Sequence, residues 1–98
     1  MYEINKTDEF DAWFSGIRDP ITRGRLLSRL RKVSLGSLGD IAPVGAGVWE
    51  MREHFGAGWR MYYVQHRKTI ILMLGGGCKS TQATDIKRVK KLLQSLED

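Results

Sequence analysis

Between Val48 and Lys79 the chain alternates, turns, alternates again, turns, and then runs apolar. Trp49, Met51 and Phe55 fall on one face of the first run, and Glu50, Arg52 and His54 on the other. In the second run Trp59, Met61 and Tyr63 share a face, and Arg60, Tyr62 and His66 take the opposite one. A period of two is that of half-buried strands, so the stretch predicts a three-stranded antiparallel meander. The Gly56-Ala57-Gly58 loop and the Arg67-Lys68 turn separate its strands. Thr69 to Leu74, apolar on both faces, belongs inside the sheet. If helices cover the Trp/Met face, Arg52 and Arg60 must point the other way, onto a cationic face suited to a phosphodiester.

Upstream the period changes. Tyr2 to Asn5 alternates and predicts a first strand. Thr7 can cap a helix with Asp8 and Glu9 in its first turn, where the helix dipole favours acids. Phe10, Trp13, Phe14 and Ile17 follow at helical spacing, and Arg18-Asp19-Pro20 resets the chain, with Asp19 as cap and Pro20 in the first turn. A second helix over 20–35 buries Leu26, Leu27, Leu30 and Val33 and sets Arg25, Arg29 and Lys32 opposite. Gly36 ends it. Residues 37–47, rich in Gly and without periodicity, read as a loop. Gly75-Gly76-Gly77 reads as the place where the chain leaves the last strand for a helix beginning near Thr81. Ile86, Val89, Leu93 and Leu96 form the apolar edge of that helix, and Lys87, Arg88, Lys90 and Lys91 its basic flank. The order is β-α-α-β-β-β-α, an α+β class, in a single domain spanning 1–98.

Composition narrows the function. With 98 residues, 42% of them hydrophobic, the chain has enough apolar material for one core and no second lobe. A formal charge of +5 and a pI near 9.7 favour polyanionic partners. Six basic residues against one acid occupy Arg18 to Lys32; they make either a solvated face or a contact with RNA phosphates or an acidic partner. The single Cys78 excludes an internal disulfide and fits a reducing, cytoplasmic compartment. No Cys/His spacing suits zinc, no cofactor motif occurs, and the polar N-terminus does not resemble a signal peptide. The apolar run Ile70 to Leu74 is too short to span a membrane.

Candidate chemistry gathers around a few side chains. The glycine run lacks the spacing of a phosphate-binding loop, but Lys79 beside a helix N-terminus suits a phosphate. Trp49, Trp59, Met61 and Tyr63 read as core. Tyr62 shares the Arg60 face, where it can stack on a base or donate a proton. Glu50, on the same face, can accept a proton or hold an Arg. His54 has the parity of Arg52 and a stronger claim than His66. Cys78 has no evident base beside it and is not read as a nucleophile.

The succession GSLGD at 36–40, VGAGVWEMR at 44–52, FGAGWRMYY at 55–63 and GGGCKSTQATDIKR at 75–88, with RLLSRLRK in the second helix, resembles the RelE/ParE superfamily of bacterial toxins. The likeness is to its small phage-related HigB-like branch and covers nearly the whole chain. It implies a β-α-α-β-β-β-α layer fold and a metal-independent endoribonuclease that cuts mRNA on the ribosome. In such enzymes the 2′-hydroxyl attacks the adjacent phosphate, leaving a 2′,3′-cyclic phosphate and a 5′-hydroxyl. Arg52 matches the Arg of the Glu-Leu-Arg motif and Arg60 that of Tyr-Arg-Val-Tyr, with Trp59 where Tyr is usual. Lys79 matches the Lys of Gly-Gly-Asp-Lys-Ser-Ser-Gln, with Cys78 in place of Asp; Gln82 and Asp85 also match. The resemblance thus implies a site of Arg52, Arg60 and Lys79 on the phosphate, with Tyr62 and Glu50 for proton transfer. Arg25, Arg29, Lys32, Lys87 and Lys90 would hold ribosomal RNA. Partners would be the ribosome, mRNA and a helix-turn-helix antitoxin, with operator DNA reached only through the antitoxin. Two alternatives stay open: a gyrase-directed toxin of the ParE kind, and a degenerate member that only joins its antitoxin on DNA.

Overall fold

Thr7 and Asp19 start the first two helices by the same device. The Thr7 hydroxyl accepts from the Phe10 amide at 3.1 Å, and the Asp19 carboxylate from the Ile21 and Thr22 amides. Each satisfies donors that a helix start leaves without a partner. The computed structural model describes residues 1–97. Its elements are β1 (Glu3–Lys6), α1 (Asp8–Ser15), α2 (Pro20–Ser34), β2 (Ile41–Gly45), β3 (Val48–Arg52), β4 (Trp59–Arg67), β5 (Ile70–Cys78) and α3 (Gln82–Glu97), with a 3-10 turn at Lys79–Thr81 before α3. No helix among the described residues is long and apolar enough to cross a membrane.

The architecture is α+β: three helices on a five-stranded mixed sheet ordered β1-β5-β4-β3-β2. The expected meander is β3-β4-β5, antiparallel throughout. β1 adds parallel to β5, pairing Glu3 with Ile70 and Lys6 with Met73, so β5 lies inside the sheet as its apolar run requires. One strand is additional. β2 lies in the stretch read as loop and pairs antiparallel with β3, Ile41 opposite Met51. Pro43 and Gly45 hide it in the sequence, and both are tolerable because β2 is an edge strand. A tight turn joins it to β3, with positive φ at Gly45, Ala46 and Gly47.

Helices cover both faces. Against one, Phe10 of α1 and Leu26, Leu30 and Val33 of α2 pack on Met51, Met61, Tyr63, Ile71 and Met73. Against the other, Val89 of α3 packs on Val48, Tyr62 and Leu74. The expectation of an open cationic face is therefore corrected. Val48, Val64, Leu72 and Leu74 share the parity of Arg52 and Arg60, and they make that face apolar enough to seat α3.

The glycine run also has a different purpose from the one expected. All three glycines lie within β5, and each faces a helix packed too close for a side chain. A Cβ on Gly75 would sit 3.1 Å from Val89, one on Gly76 2.5 Å from the Trp13 ring, and one on Gly77 would overlap the Asp85 carboxylate. Alternation along the strand sends these contacts to α3, α1 and α3 in turn. In α2, Leu27 is half exposed, while Thr22 and Arg29 are buried in its stead. In α3, Leu96 is likewise exposed, and Leu92 joins Ile86 and Leu93 at the core edge.

Candidate functional site

Strand register brings the three principal cations to one end of the sheet. Arg52 and Arg60 are directly opposed across β3 and β4, and Arg60 is opposite Gly77 in β5. Two residues beyond Gly77 stands Lys79, whose amide donates to the Gly58 carbonyl at 2.8 Å. Gly58 is the floor between two of them: a Cβ there would lie 3.1 Å from Lys79 Cβ and 3.8 Å from Arg60 Nη1. The cluster thus forms where the 53–58 hairpin loop meets the start of α3, at the border of the part of the sheet that the helix covers.

The three differ in how they are held. Arg60 is 6% exposed, and its Nη1 donates to the carbonyls of Glu53 at 3.2 Å and Trp59 at 3.1 Å. Its Nε lies 3.8 Å from Oε1 of the buried Glu50, whose Oε2 accepts from Gln82 Nε2 at 2.7 Å. Arg52 is more open. It donates to Asp40 Oδ1 from Nη2 at 2.8 Å and from Nε at 3.2 Å, while His54 Nε2 meets Asp40 Oδ2 at 2.6 Å. The Arg52 hydrogen bond, then that of His54, draws the Asp40 pKa down to about 2, and the Asp40 hydrogen bond raises that of Arg52. Lys79 is exposed.

Two expected participants lie inside the protein. Tyr62 is 0% exposed beneath α3, so it offers no surface for a base. Among the described residues its hydroxyl has no hydrogen-bond partner, and burial, then the nearby Glu50 charge, raises its pKa. Glu50, 2% exposed, ties Arg60 to Gln82 and is not presented to solvent. Both share the face of Arg60 as their parity requires; α3 covers that part of the face.

The expected RNA-holding residues divide in the same way. Arg29 is buried, donating to the carbonyls of Leu38 and Asp40 at 2.8 Å each and of Arg52 at 2.9 Å, and pairing with Glu53. It pins the loop that carries Asp40 and is not available to a phosphate. Arg25 stacks its guanidinium 4.2 Å from the Phe55 ring centroid, and Lys32 is exposed. They border a shallow depression of about 190 Å³ with Ser28 and Glu53. Lys87 and Lys90 line another open depression with Lys91. Asp40 is the member that sequence reasoning missed. It sits in a stretch read as loop, and its only signal was an acid in the GSLGD segment.

Two guanidinium groups and an ammonium brought to one end of a sheet can bind a phosphodiester and stabilise added negative charge on it. Among the described residues no group of three or more His, Cys, Asp or Glu side chains is placed to hold a metal. Cys78 Sγ has the hydroxyls of Ser80, at 3.1 Å, and Thr81 as neighbours, and these lower its pKa.

Comparison with known proteins places these residues in a lineage. The family described as "Phage derived protein Gp49-like (DUF891)" matches residues 17–97, which include every member of the cluster. A protein of Haemophilus influenzae (strain ATCC 51907 / DSM 11121 / KW20 / Rd), described as "Uncharacterized protein", is 35% identical over 94 residues, covering 96% of this chain and 95% of that one. No solved structure matches.

Proposed function

Because the chain belongs to the phage-derived Gp49-like family, a family of the RelE/ParE-like toxin kind, we propose that it is the toxin of a toxin–antitoxin pair and cuts translated mRNA. The observation that supports the nuclease half is that Arg52 pairs with Arg60 across β3 and β4 while Arg60 and Lys79 border Gly58, at one end of the sheet. RNA supplies its own nucleophile. When the 2′-oxygen attacks phosphorus, the two non-bridging oxygens gain charge, and cations already held in place stabilise that charge with little reorganisation. Arg52 and Lys79, the more open two, take the scissile phosphate. Arg60, 6% exposed, is the most firmly anchored of the three and lends its charge from beneath them. Glu50 and Gln82 hold Arg60 from behind, and Tyr62 packs under them. An antitoxin encoded with the toxin covers the cluster until it is removed.

The test is translation in a cell-free system with mRNA ends mapped. New 5′-hydroxyl ends made by the wild type, and reduced about 100-fold or more in Arg60→Ala, are the expected result. Translation that stops with mRNA intact overturns the nuclease reading. Loss of gyrase supercoiling in the same preparation would replace it with the gyrase-directed alternative.

A further inference from the structure

The cation cluster has no proton acceptor among the residues that the family likeness assigns: Tyr62 and Glu50 are buried and Lys79 is a cation. We propose that His54 is the general base of the reaction and that Asp40 is its positioning residue. The inference rests on the nuclease reading above.

The geometry is that of an oriented imidazole. Asp40 Oδ2 lies 2.6 Å from His54 Nε2, so the neutral ring carries its hydrogen on Nε2 and leaves the Nδ1 lone pair free. The ring is 67% exposed, open to a substrate lying over Arg52. The same carboxylate binds Arg52 through Oδ1, so base and phosphate-binding cation are separated by one carboxylate group. Asp40 is itself fixed. Its carbonyl accepts from Arg29 Nη2 at 2.8 Å and from the Arg52 amide at 3.0 Å. The buried Arg29 gains a purpose from this: α2 reaches past the sheet to hold the loop that orients the base. The charged groups around His54 are Asp40 from the loop before β2, Arg52 of β3, Glu53 next to it in the chain, and Arg29 of α2.

In the step, Nδ1 of His54 takes the proton of the 2′-hydroxyl. The 2′-oxygen forms a bond to phosphorus and the bond from phosphorus to the 5′-oxygen breaks. The 5′-oxygen takes a proton from water, and the hydroxide so formed removes the proton from the imidazolium, restoring the enzyme.

The experiment compares wild type, His54→Ala, Asp40→Asn and Arg60→Ala by the rate of appearance of 5′-hydroxyl mRNA ends, with circular dichroism to verify folding. His54→Ala is expected to slow cleavage about 100- to 10,000-fold, and added imidazole to recover part of the loss. Asp40→Asn is expected to slow cleavage less, and Asp40→Glu to restore part of what Asp40→Asn loses. A folded His54→Ala protein that cuts within threefold of wild type overturns the assignment of His54 and leaves the nuclease reading standing. A wild type that makes no new ends overturns both. A loss in His54→Ala that imidazole does not relieve also counts against the base role.

Discussion

At the scale of single residues, two glycines of one chain respond oppositely to the same substitution. Gly77 faces Asp85 with no room for a Cβ, and Asp85 is held there by Thr81 and Arg88. Gly77→Ala is expected to cost about 3 kcal/mol in urea denaturation. Gly24, inside α2, has nothing within 4 Å of the added carbon. Gly24→Ala is expected to stabilise by about 0.5–1 kcal/mol in the same assay, by reducing the freedom of the unfolded chain. The sequence made the glycine run conspicuous but could not supply its reason, which is a helix pressing on each side. Asp40 allows a prediction in pH. Its folded pKa of about 2 lies below the ordinary 3.8, so the ionised form is the one folding favours. Its contribution is whole above about pH 4 and is lost as pH falls toward 2. Stability of Asp40→Asn, followed by urea denaturation at pH 5 to 2, should fall less steeply over that window than that of wild type.

At the scale of elements, α2 is the most instructive. Its start was legible because Asp19 and Pro20 are chemical signals that act locally. Its buried stripe was legible only in part. Leu27 and Arg29 lie on opposite borders of that stripe, and helical spacing alone ranks leucine as the buried one. The carbonyls of Leu38, Asp40 and Arg52 and the Glu53 carboxylate reverse the ranking, and they arrive from distant parts of the chain. Arg29→Ala, which leaves those acceptors buried without partners, is expected to destabilise by about 2–4 kcal/mol in urea denaturation. Arg29→Lys should recover little, since an ammonium lacks the planar fork that spans several acceptors. β2 was illegible for a related reason: its strand character comes from pairing with β3 and not from its own residues.

At the scale of the whole molecule, a sheet covered on both faces leaves its end as the exposed place for charge to gather. The α+β class and the order of most elements could be read from periodicity, because period two and period 3.6 are properties of short windows. That Arg52, Arg60 and Lys79 come to one end of the sheet required the register of three strands, although their likeness to family positions marked them in advance. Binding of a short single-stranded RNA should weaken linearly on a plot of log K against log salt. Lys79→Ala should make that line shallower by about 0.7 as one phosphate contact is lost. The parallel pairing of β1 with β5 has a consequence in time. Glu3 to Lys6 are made first, yet their mates, Ile70 to Met73, leave the ribosome far later, and Lys79 later still. Synthesis therefore completes the cluster only once Lys79 follows: a nascent chain halted before it holds two of the three charges and lacks the helix that frames them.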